Sequence, residues 1–375
     1  MRVSAIMRKC CNKWGRGIVC AAAHGILSLF VVTLAAGVHA NSSPVQEGAD
    51  TPLPIFEFHS GFWVNLHHFL YEQARLTSGL AIVEREGAQS PRWNDAPASL
   101  LDVPAAEIRA WESAVKFYAK DLAQRDLLRN GDMNLINNRL AELENCSDLS
   151  GATTPACNAG LDPELVKTLD EAAPVYRERW WPAQDRANRA WINAVAPLVR
   201  ERGVDLSEQL ALIYQKGWPA GRMRVDIVWY GGLNGAYTTL NPVHVTVSSH
   251  DPRNQGIYAY EVLFHESSHT LAGGLMEAIA RECRERDKPI PRDLWHAVLF
   301  YTTGELVQRE MAASNAPDSG SRGGGNAGYV PYAQHYGLYS GGWNRFRGLL
   351  DLYWQPYLDG KVDFDTAVAR MANAL

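Results

Sequence analysis

Two histidines four residues apart, His265 and His269, with Glu266 between them, are the residues of this chain best suited to chemistry. On a helix that spacing leaves the two imidazoles about 40° apart around the axis, so both can converge on one metal ion. Glu266 follows the first of them and projects beside the ion, where a carboxylate can take a proton from a metal-activated water. The flanks suit a buried helix. Val262, Leu263 and Phe264 before the group, and Thr270, Leu271 and Ala272 after it, carry no charge and no proline. A chance match on a solvated helix would sit among Lys, Arg and Glu instead.

A catalytic zinc takes three protein ligands and keeps one position open for water. Glu305 is the expected third ligand. It lies between apolar residues in L-F-Y-T-T-G-E-L-V, where a buried carboxylate needs a cation and zinc supplies one. Thr302, Thr303 and Gly304 beside it are small enough to let its helix approach the His265–His269 helix closely. His296, earlier on the same predicted helix, competes for the role. Nine residues separate the two, which puts them on opposite faces, so only one can point at the metal. Glu277, Glu282 and Glu285 sit on a charged stretch and read as surface carboxylates. For an oxyanion donor the sequence offers Tyr329, Tyr332, His335, Tyr336 and Tyr339, of which Tyr332 and His335 are the expected choices.

The elements that must hold these residues fall into two regions. Residues 55–215 read as almost entirely helical, with the stretch from Phe56 to Leu76 a strongly apolar helix from about Gly61. Proline at Trp180-Trp181-Pro182 restarts a helix. His59, His67 and His68 have aromatic neighbours and read as packed or hydrogen-bonded histidines. Residues 216–375 change character. The run from Arg224 to Tyr230 alternates and is rich in β-branched and aromatic residues, a glycine turn follows, and Ala236–Leu240 and Val243–Ser248 read as two further strands. The helix bearing His265 comes next. Gly273-Gly274 bends or breaks it before a charged helix over 275–286 and an apolar-centred one over 292–311. Cys146 and Cys157 bracket a turn-rich segment and are expected to form a disulfide, leaving Cys283 as a structural thiol.

Strands followed by the H-E-x-x-H helix and a later Glu resemble the core of a gluzincin-type zinc metallopeptidase, over residues from about 222 to 310. The resemblance rests on His265, Glu266, His269 and Glu305. The metzincin extension is absent, since no His follows Gly273 in register. The resemblance implies an α+β fold, predominantly α-helical: a zincin-like core with a small mixed or antiparallel sheet followed by the H-E-x-x-H helix. It also implies bound Zn²⁺ and hydrolysis of a peptide or protein substrate with Glu266 as general base. The last strand, Val243–Ser249, would be the edge to which substrate adds. The stretch Gly231-Gly232-Leu233-Asn234-Gly235 lacks the Met of the substrate-gripping element of aminopeptidases in that family.

Residues 1–40 read as an export signal: Arg2, Arg8, Lys9, Lys13 and Arg16 precede an apolar run, and Val38-His39-Ala40 resembles a cleavage site. Residues 41–54 follow as a linker. The chain is therefore expected to be secreted or periplasmic, with membrane contact only if that segment is retained as an anchor. The formal charge of −5, more acidic still without the leader, argues against nucleic acid as a partner. Two other functions fit the same residues: a non-catalytic secreted helical protein with a structural or vestigial metal site, and a zinc hydrolase acting on a non-peptide amide such as a cell-wall fragment.

Overall fold

The computed structural model of the chain describes residues 55–80, 104–314 and 328–375. The leader-like segment 1–40, the linker and most of the Gly-rich stretch before Gly328 lie outside the described residues. Among the described residues, four short strands form one mixed sheet: β1 Phe56–His59, β2 Met223–Val228, β3 Ala236–Leu240 and β4 Val243–Ser248, in the order β1-β2-β4-β3. β1 and β4 both run parallel to β2, and β3 folds back antiparallel on β4. The molecule is thus α+β and mainly helical.

Two expectations change here. The helix expected from about Gly61 starts at Phe62, but Phe56–His59 before it, in a region read as almost entirely helical, is a strand, because its pairing partner lies more than 160 residues away and leaves no local signal. Val243–Ser249 is not the edge: β4 is flanked by β2 on one side and β3 on the other, so β3 is the free edge beside it. Chain order hides this, since β3 precedes β4 in sequence but lies outside it in the sheet.

The period-two alternation of strands assigns the two faces. Met223, Val225, Ile227, Val245, Val247 and Ala236 point into one core, shared with Trp191, Val195, Val199 and the helices that follow the sheet. Val228, Tyr230 and Tyr237 point into the other, which is built from α1 (Phe62–Thr77), α2 (Ala105–Lys120), α3 (Gly131–Glu142) and α4 (Pro163–Arg179). The long α5 (Trp181–Ile213) starts at Trp181-Pro182, where proline suits a first turn, and crosses from the second core to the first. Residues before and after 215 therefore share one sheet and one compact unit spanning 52–375.

The second face carries a buried polar network. His67 Nδ1 shares a 2.7 Å hydrogen bond with the Tyr118 hydroxyl, and His68 Nε2 lies 3.1 Å from Asn137 Oδ1 and 3.0 Å from Tyr237. Asp226 pairs with His244 and Arg224. Burial pushes the Asp226 carboxyl up, but these two partners win and hold it at about 2. His59 meets Glu144 at 3.0 Å. All three early histidines are thus packed or hydrogen-bonded groups. Cys146 and Cys157 form the expected disulfide, and Cys283 is a buried free thiol.

After the sheet come α6 (Ile257–Ser268), a single 3₁₀ turn over His269–Leu271, α7 (Gly273–Glu285) and α8 (Leu294–Ser314). Short helices α9 (Tyr332–His335), α10 (Asn344–Leu349), α11 (Gln355–Leu358) and α12 (Phe364–Ala374) close the chain. Gly273-Gly274 opens α7, and the bend falls in the 3₁₀ turn just before it. No helix among the described residues is long and apolar enough to cross a membrane.

Candidate metal centre

Gly256 at φ +59° turns the chain into α6, a conformation that a side chain would strain. The helix is then buried from Ala259 to Ser268 without interruption, which accounts for its apolar composition. It lies on the sheet face that carries Thr238, against the edge strand β3. His265 and Glu266 stand on its last turn, and His269 opens the 3₁₀ turn that follows.

α8 packs across α6 and brings in His296. The side-chain nitrogens of His265, His269 and His296 all lie within 4.8 Å of one another. His265 Nε2 and His296 Nε2 are 3.2 Å apart. With zinc–nitrogen bonds of 2.0–2.1 Å and tetrahedral angles, two ligand nitrogens stand about 3.3 Å apart, so this spacing suits the metal. The three imidazoles are also held neutral, the form that ligates. Burial, then His269 and His296, takes His265 well below its usual range. Burial, with His296 adding, lowers His269 to about 3. Burial, with Arg129 adding and Asp293 opposing, lowers His296 to about 4.

Glu305 does not join this group. It lies half-buried nine residues along α8, on the face turned away from His296. Burial raises its carboxyl, while Arg309 and Arg347 draw it down. Asp351 and Asp359, which pair with those two arginines, raise it further. The helical period that made His296 and Glu305 alternatives thus places them on opposite faces. The small residues beside it have other uses: Thr302 accepts a 2.9 Å hydrogen bond from Trp354 Nε1, and Gly304 faces Pro331 and Glu261.

Glu266 is buried, with Oε2 3.8 Å from His269 Nε2 and 2.8 Å from the Thr238 hydroxyl. Burial raises its carboxyl to about 7, and the Thr238 hydrogen bond offsets part of that rise. A carboxylate balanced near neutrality and anchored by a hydroxyl from the edge strand is suited to accept and return a proton. Thr238 is a residue that sequence reasoning missed. Its inward-facing position in A-Y-T-T-L was readable, but its partner was not.

An aromatic wall completes the site. The Phe300 ring stacks on His265 with centroids 3.5 Å apart, and Tyr332 stacks on Phe300 at 5.7 Å. Trp295 and Trp343 flank His296, with centroids 5.1 and 5.2 Å from it. Burial lifts the Tyr332 phenol; Arg253 opposes the rise, and the charges of Asp251 and Glu266 add to it. His335 is not brought to the centre: it is exposed and stacks on Tyr258 at 4.9 Å. It ends α9, three residues beyond Tyr332, and its ring turns toward the start of α6.

No protein-family model, no curated protein and no solved structure matches the chain. The functional reading therefore rests on the site itself.

Proposed function

We propose that this chain is an exported H-E-x-x-H zinc hydrolase that cleaves peptide bonds, with a third histidine where the gluzincin pattern has a glutamate. The observation that carries the reading is the convergence of His265, His269 and His296 beside the buried carboxylate of Glu266. In this reading the three imidazoles hold Zn²⁺, with His296 in the place that Glu305 was expected to fill. The bound ion would lower the pKa of its water and polarise the substrate carbonyl.

The protein's own groups do the rest. Glu266 takes the proton of the attacking water and later passes it to the leaving amine. Thr238 fixes the carboxylate so that one oxygen faces the reacting centre. The Tyr332 phenol donates to the oxygen that gains charge as water adds. β3, which among the described residues pairs with β4 alone, offers backbone groups to an extended substrate strand. The aromatic wall keeps water out around the centre.

The experiment is direct. The purified full chain is expected to carry about one equivalent of zinc and to cleave members of a peptide library. Glu266→Gln should keep the metal and lose on the order of 10²-fold or more in kcat. Stoichiometric zinc with undiminished hydrolysis in that variant would remove Glu266 from the mechanism. Cleavage of wall-derived amides with no peptide cleaved would move the chain to the other amide class.

A further inference from the structure

Glu261 is a fully buried carboxylate that the proposed mechanism does not use. It lies one turn before His265 on α6, and among the described residues no Lys or Arg pairs with it. Its partners all come from the segment that follows Gly328. The Tyr329 hydroxyl donates to Oε2, and the Tyr332 backbone N–H donates to both carboxylate oxygens at 3.0 Å. Burying a carboxylate without a cation is costly, and a hydrophobic residue here would pack without that cost. Something must favour an acceptor with two oxygens at this point.

The neighbouring helix shows the same fit. Gly304 of α8 faces the segment so closely that a Cβ there would stand 2.6 Å from Pro331 Cβ and 3.1 Å from Glu261 Oε1. Residues 329–332 are therefore wedged between α6 and α8, with Glu261 below them and a glycine cut-out beside them. The residue pinned by its backbone is Tyr332. Its ring continues the stack through Phe300 to His265.

We propose that Glu261 is a positioning residue: its carboxylate seats the Tyr329–Tyr332 segment between α6 and α8 and so sets the Tyr332 phenol beside the three-histidine centre. This deepens the hydrolase reading and rests on it for the role of Tyr332. A carboxylate suits the task because one oxygen takes the Tyr329 hydroxyl while both take the amide. Glutamine can reproduce the pair, its Oε1 accepting from the amide and its Nε2 donating to the Tyr329 oxygen. Alanine leaves the amide buried and unpaired.

The test compares Glu261→Ala, Glu261→Gln, Tyr332→Phe and the double variant Glu261→Ala/Tyr332→Phe in the full chain. Zinc content, kcat and KM on a cleaved library peptide, and hydrogen exchange over 329–336 are read for each. Glu261→Ala is expected to keep its zinc and lose about tenfold or more in kcat, with KM little changed. Glu261→Gln should recover most of that loss. The double variant should fall no further than Tyr332→Phe alone, since both changes remove one function. Intact kcat in Glu261→Ala, or losses that multiply in the double variant, would overturn the proposal. If the wild-type chain holds no zinc or cleaves nothing, the hydrolase reading fails on its own and exchange decides the seating. Faster exchange over 329–336 in Glu261→Ala, with α6 and α8 still protected, keeps the seating; unchanged exchange removes it.

Discussion

His296, rather than Glu305, stands with the two motif histidines, and the choice turns on which face of α8 meets α6. Each candidate had a sound local argument: one is an imidazole among aromatics, the other a carboxylate among apolar residues. Glu305 is only half-buried and stands on the opposite face of α8, so the burial that raises its carboxyl is met away from the three histidines. The two variants separate cleanly. His296→Ala is expected to lower zinc affinity by about 100-fold or more, as loss of one of three ligands should. Glu305→Ala should leave zinc content unchanged. Metal analysis after dialysis against a graded chelator reads both, and loss of zinc in Glu305→Ala alone would restore the original ranking.

At the scale of elements, the site is a meeting of α6, α8, β3 and the Tyr329–Tyr332 segment. Gly304 measures how tightly these elements fit. In an isolated helix, Gly→Ala gains about 1 kcal/mol. Here the added methyl would fall 2.6 Å from Pro331 Cβ, and overpacking of this kind costs about 1–3 kcal/mol. Gly304→Ala is therefore expected to be less stable than wild type, against its helix propensity. Denaturant unfolding gives the sign, and a raised midpoint would mean the wedge yields easily. The edge strand belongs to this scale too. β3 supplies Thr238 to Glu266 and leaves one row of backbone groups unpaired by other strands, which is where an extended chain would add.

Across the whole molecule, one sheet separates an apolar face beneath α6 from a polar face beneath α1, and the polar face sets a pH response. Burial above all, with His244 adding, lowers His68 to about 4 from its ordinary 6.5, against the opposing pull of Asn137, Asp226 and Tyr230. The fold thus holds the neutral ring, and the unfolded chain takes up the proton first. Its contribution to stability is complete above pH 6.5 and is lost as pH falls from there through 4. The loss amounts to about 3 kcal/mol at the acid end. The raised carboxyls of Glu261 and Glu266 titrate in the opposite sense, so the effect is read as a difference. The gap in unfolding free energy between wild type and His68→Asn, measured without metal at pH 7, 5.5 and 4, should narrow as pH falls. A constant gap would mean that His68 does not titrate on unfolding.

Much of this was legible in the chain. The strands Ala236–Leu240 and Val243–Ser248, the buried helix around His265, the restart at Trp181-Pro182 and the disulfide all follow from local pattern, because each depends on periodicity or spacing within a few residues. His265, Glu266 and His269 needed only the helical period to be brought together. The rest depends on residues far apart in sequence. β1 exists because it pairs with a strand over 160 residues away, and β3 is the edge because β2 reaches past it to β4. The same holds for His296 against Glu305, for Thr238 on Glu266 and for Glu261 under Tyr332. A single helix can state which faces are available, but only the packing of a second element against it selects the face that becomes the site.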